Sequence, residues 1–163
     1  HEVPPLGLLT DLSELLRYSL SNQNVTNISI SDEIEMVEKY IGLYQIDNPN
    51  TIKLEYKLES EFLQNEIPPM VLISMLELIL GDTVLEDITK KVITLKSKNT
   101  NDSIQVILSV NAKIGIHEND IRFRKINQRL WLLYSSYGKL SLNQLQNAIE
   151  LDIPRYSNGI EEK

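Results

Sequence analysis

The chain has 163 residues, 42% of them hydrophobic, with no cysteine and a formal net charge of −7. That length and apolar share support one folded domain with a sizeable core. The acidic balance disfavours general binding to nucleic acid or anionic lipid, and the missing thiols exclude disulfides, thiolate catalysis and cysteine-ligated zinc.

Residues 6–20 predict a helix, with Leu9, Leu12 and Leu16 and, beside them, Leu8 and Leu15 at helical spacing. Asp32 followed three residues later by Glu35 has the pattern of a helix start, so a second helix is expected over 33–47. Within it Ile34, Val37, Ile41 and Tyr44 recur at the spacing of a narrow seam. That seam suits either a pair of long helices or one helix docked on its own domain. After Asn48-Pro49-Asn50, the alternation of Ile52, Leu54, Tyr56 and Leu58 with Lys53, Glu55 and Lys57 predicts a half-buried strand.

A polar connection over 60–66 leads to Ile67-Pro68-Pro69 and a helix that Gly81 would stop. This helix is apolar nearly all round, with Ser74 and Glu77 its polar side chains, and so it must be buried. A carboxylate on a buried helix needs a partner, a pocket or a proton. Glu77 is therefore either a functional acid/base or a residue at the edge of the core. Residues 82–87 would add one or two further turns.

Strands are expected over 91–95 and 104–110, joined as a hairpin by the turn-rich segment 98–102. A short loop over 111–119 precedes a helix over 120–135, with Phe123, Ile126, Leu130 and Leu133 on its inner face and Arg122, Lys125 and Arg129 on another. Leu140, Leu142, a polar turn over 144–147 and the alternating Ile149, Leu151 and Ile153 make a terminal hairpin, and the chain from Tyr156 onward reads as a tail. The order places helices on one face of a mostly antiparallel sheet, an α+β two-layer sandwich preceded by a helical hairpin.

Several segments, in order, resemble sensor histidine kinases of the LytS/YehU type. Leu12-Ser13-Glu14-Leu15-Leu16-Arg17-Tyr18-Ser19-Leu20 is similar to the end of that family's dimerisation and phosphoacceptor region, and 33–41 to the helix that follows. Ile67-Pro68-Pro69 with Leu72 through Glu77 resembles the start of the ATP-binding helix. Arg129-Leu130 with Leu132-Leu133-Tyr134 resembles the helix after the glycine-rich box, and Ile149 to Pro154 the final strand. The resemblance implies the ATP-binding sandwich shared with gyrase-like ATPases, and a division into a dimerisation segment at 1–47, a sandwich at 48–156 and a tail at 157–163.

The family's chemistry is carried by residues that differ here. Its helix has Glu-Asn, where the Asn side-chain oxygen holds Mg²⁺; this chain has Glu77-Leu78. Its Asp-Asn-Gly, whose Asp accepts a hydrogen bond from adenine, aligns with about Val110-Asn111-Ala112, and its second glycine box aligns with 120–122, which has no glycine. The loop before the last helix is shorter than the family's ATP lid. The family's phosphoacceptor histidine lies upstream of the Leu-Leu-Arg-Tyr segment. His1 lacks the sequence that follows that histidine, and His117 reads as a surface residue.

These matches and departures lead to a signal-transduction module that keeps the fold and loses ATP chemistry, a pseudokinase or scaffold with no cofactor. Glu77 is its vestigial catalytic residue, and Arg122, Lys125 and Arg129 form either a phosphate or partner surface or a solvated face. The expected partners are a second copy or a related kinase, and a response regulator, with no nucleic acid, in a cytoplasmic domain of a protein that could be membrane-anchored. Two other readings stand beside it: an active kinase that binds ATP by an unrecognised arrangement, and an unrelated interaction domain.

Overall fold

The computed structural model describes residues 6–21, 27–46, 49, 51–84 and 90–155. The chain runs α1 (Leu6–Ser21), β1 (Ile28–Ser29), α2 (Ile30–Tyr44), β2 (Ile52–Lys57), β3 (Glu66–Ile67), α3 (Val71–Asp82), β4 (Thr83–Val84), β5 (Lys91–Asn99), β6 (Ser103–Val110), β7 (Lys113–Ile114), α4 (Ile121–Tyr134), β8 (Lys139–Asn143) and β9 (Ala148–Pro154). Short 3-10 turns occupy Ser60–Gln64, Ser135–Tyr137 and Gln144–Gln146. The expected tail from Tyr156 and the second half of the expected 82–87 extension lie outside the described residues.

Five strands form the main sheet in the order β2-β5-β6-β9-β8. The β2 and β5 pair is parallel and the other three pairs are antiparallel. One face is apolar because β6 alternates strictly: Ile104, Val106, Leu108 and Val110 are buried, while Ser103, Gln105, Ile107 and Ser109 between them are half-buried. Helices α2, α3 and α4 cover the apolar face, and Val37, Leu76, Leu78, Phe123 and Leu130 join the strand residues in one core. This is the α+β two-layer sandwich expected from the sequence.

Helix α2 ends at Tyr44 rather than at 47, and three further differences from expectation have a local reason. Helix α2 starts at Ile30 because Ser29 caps it, its side chain accepting from the Asp32 amide at 3.1 Å. Strand β5 continues to Asn99 because β6 pairs with it along that whole length. The expected helical extension after α3 gives way to β4, which pairs with β7 inside the stretch expected to be a loop.

Helix α1 packs along α2. Among the described side chains of α1, Leu15 packs against the core cluster, while Leu9, Leu12, Leu16 and Leu20 remain 45–65% exposed.

Candidate functional site

The site that the sequence points to is the central helix α3, where Leu72, Met75, Leu76, Leu78 and Ile79 are almost wholly buried. Its start is irregular. Pro68 and Pro69 are buried, and Met70 sits at φ 68°, a conformation uncommon for a side chain of this size. A helix beginning this way exposes amides that need acceptors.

Those acceptors come from α2. Glu33 is 0% exposed, and its carboxylate accepts from the Met70 amide at 3.1 Å and the Leu72 amide at 3.2 Å. The same carboxylate accepts from the Tyr18 hydroxyl of α1. A negative charge at a helix start interacts favourably with the aligned peptide dipoles. Burial pushes the Glu33 carboxyl above its ordinary range, while the bonds from Tyr18, Met70 and Leu72 hold it down. Helix α4 secures the same corner, with the Arg129 guanidinium donating to the Pro69 carbonyl at 2.6 Å. Four helices therefore meet at one bend of chain.

Glu77 lies further along α3 and is exposed. It borders a cleft of about 330 Å³ between α1, α2 and α3, whose walls include Leu12, Leu15, Leu16, Tyr40 and Ile73. Tyr40 is pushed up to about 12, first by its burial and then by the charge and hydrogen bond of Glu77. The acid thus stands at the rim of this cleft beside a tyrosine.

The other residues singled out from sequence do not converge. Arg122 bonds Asp120 through Nε at 3.0 Å and Nη2 at 2.8 Å. Asp120 also caps α4, accepting from the Arg122 amide at 2.8 Å, and the guanidinium holds this carboxyl down at about 2. Arg129 is turned to Pro69, while Lys125 is exposed. His117 is exposed, with its carbonyl accepting from the Asp120 amide. Tyr134 is half-buried and donates to Asn27 at 2.9 Å, whereas Trp131 is 63% exposed and takes no part in the core.

The residues present do not fit a magnesium nucleotide bound as the resemblance implies. Leu78, where the metal-holding amide would stand, is 1% exposed and packed in the core. Asn111 is engaged with backbone, accepting from the Val92 amide at 2.8 Å and donating to the Lys90 carbonyl at 3.2 Å. The connection that would form a lid is packed down instead: Ala112, Ile114 and Ile116 are buried, and β7 is paired to the chain just after α3. No group of three or more potential metal-ligating His, Asp or Glu side chains occurs among the described residues.

Sequence reasoning missed Glu33, Tyr18 and Asn127 as organising residues. The signal for Glu33 was its register: Ile30, Glu33, Val37 and Ile41 are the buried positions of α2 and fall three and four apart. Asn127 gave no such signal. Its amide donates to the Leu140 carbonyl at 3.0 Å and accepts from the Leu140 amide at 2.8 Å, covering part of the β8 edge.

A family model described as Histidine kinase matches residues 6–52. The chain is 22% identical to the Sensor protein LytS of Oceanobacillus iheyensis, over 83% of this chain and 26% of that relative's length. Among solved structures, the histidine kinase AdeS of Acinetobacter baumannii superposes with a TM-score of 0.60 at 12% identity, covering 94% of this chain and 78% of that one. The catalytic domain of histidine kinase ThkA gives 0.59 at 14% identity, covering 80% and 97%. ThkA in complex with the response regulator protein TrrA gives 0.51 at 13% identity, covering 96% and 53%. The resemblance to LytS-type sensor histidine kinases thus holds in sequence, and the fold is that of histidine kinase catalytic domains.

Proposed function

We propose that this chain is a signal-transduction module of a two-component sensor histidine kinase-like protein, one that keeps the ATPase-type sandwich and has lost ATP binding. The observation that carries the reading is Leu78, an apolar side chain sealed in the core at the place of the family's metal-holding amide. A pseudokinase of this kind acts by shape and contact, as a scaffold.

The other parts of the reading have their own support. The leucines left exposed along α1 favour pairing with a second copy or a related kinase. The fold likeness to a kinase solved with its response regulator favours a regulator as a further partner. We assign 1–47 to the dimerisation arm and 48–156 to the sandwich, with Glu33 joining the two. No helix among the described residues is long and apolar enough to cross a membrane, which is compatible with a cytoplasmic module of a membrane-anchored protein.

The test is ATP with Mg²⁺. Calorimetry is expected to give no measurable heat of binding, and millimolar ATP is expected to leave the melting temperature unchanged. A dissociation constant a hundredfold below the ATP concentration would stabilise the fold by about 2.7 kcal/mol. Micromolar binding or a clear thermal shift overturns the proposal in favour of an active kinase.

A further inference from the structure

Helix α4 has two faces of different character. Phe123 and Leu130 point into the core. On the opposite side Ile121, Arg124, Lys125, Gln128, Trp131 and Leu132 recur three, four and seven residues apart and share one face. All six are exposed, with Ile121 at 66%, Trp131 at 63% and Leu132 at 80%. The two neighbouring arginines of the helix are engaged, Arg122 with Asp120 and Arg129 with Pro69. Arg124 and Lys125 have no acidic partner among the described residues.

We propose that this outward face of α4 docks an acidic amphipathic helix of a partner protein. It is a basic island on a chain whose net charge is −7, so its electrostatic match is an acidic surface. Exposed tryptophan and arginine, here two turns apart on one face, are residue types that dominate binding energy at protein interfaces. Its apolar anchors stand at the two ends of about 16 Å of helix, with the cations between them. That layout fits an apposed helix carrying apolar residues at its ends and carboxylates in the middle. An anionic bilayer is the poorer match, because the whole chain is acidic and the apolar residues do not form a continuous stripe. The proposal holds whether or not the chain binds ATP.

Trp131 is the single tryptophan of the chain, so its emission reports on this face alone. The probe is a synthetic helical peptide of about three heptads whose binding face carries leucines toward its two ends and glutamates between them. Titration is expected to shift Trp131 emission to the blue and to saturate, with affinity falling as salt is raised. The double variant Arg124→Glu, Lys125→Glu is expected to bind at least about tenfold more weakly, and Leu132→Ser to weaken binding similarly, both with unchanged circular dichroism. Four outcomes overturn the proposal. They are an unchanged emission with the acidic peptide, an equal response to a peptide with lysines in place of glutamates, a response to phosphatidylglycerol vesicles but not to the peptide, and an emission change on concentrating the protein alone.

Discussion

The two ends of α3 are built on opposite terms. At its start, backbone amides are met by Glu33, a carbonyl is met by Arg129, and Tyr18 is drawn in from a third helix. Toward its end, Leu78 is sealed in the core, the chain that follows is held by β-pairing, and the Arg122 side chain lies close to Gly81. Polar side chains of α1, α2 and α4 are thus gathered where α3 is anchored.

That contrast can be tested most severely at Glu33. Glu33→Ala leaves the Met70 and Leu72 amides and the Tyr18 hydroxyl without their acceptor, and should lower unfolding stability by about 3–5 kcal/mol. Urea denaturation followed by circular dichroism measures it; a midpoint equal to that of the parent would mean that the anchored end is not special. Arg129→Met removes one charged hydrogen bond while keeping the aliphatic stem, and about 1.5–3 kcal/mol should be lost. If this variant matched the parent, the corner would be held from α2 alone.

The smallest expected effect is in pH. Because burial raises the Glu33 carboxyl in the folded chain above its unfolded value, its contribution is fully present below the unfolded pKa and is lost as pH rises through the folded one. Glu33→Gln has no such titration. The stability of the parent relative to this variant should therefore fall as pH is raised from about 4.5, read from paired urea curves at several pH values. A difference that grows with pH would show that the hydrogen bonds outweigh burial.

Much of the fold was legible because burial writes itself as period. The alternation of Ile104, Val106, Leu108 and Val110 and the spacing of Phe123 and Leu130 match the buried faces of β6 and α4. What was not legible depended on distant partners. The pair β1 and β3 is two residues long on each side and exists only because the chain returns there, and β4 with β7 is of the same kind. The candidate site shows the same divide. That Leu78 is a poor metal ligand can be read from its type, but Glu33 looked like an ordinary charge near a helix start until the fold brought Pro68, Pro69 and Met70 against it. Arg129 shared a helical stripe with Lys125, yet only the packed structure separates the one that serves the core from the one that faces out.

The placement of β2 has a consequence for how the molecule assembles. Strands β5 with β6, and β8 with β9, are neighbours in both sequence and sheet, so they can close as local hairpins on a microsecond scale. Strand β2 instead lies parallel to β5, with Ile52 opposite Lys91 and all of α3 in between. A parallel pairing across such a crossover must wait for its intervening helix. Pairing of β2 with β5 is therefore expected to follow the closure of the two local hairpins.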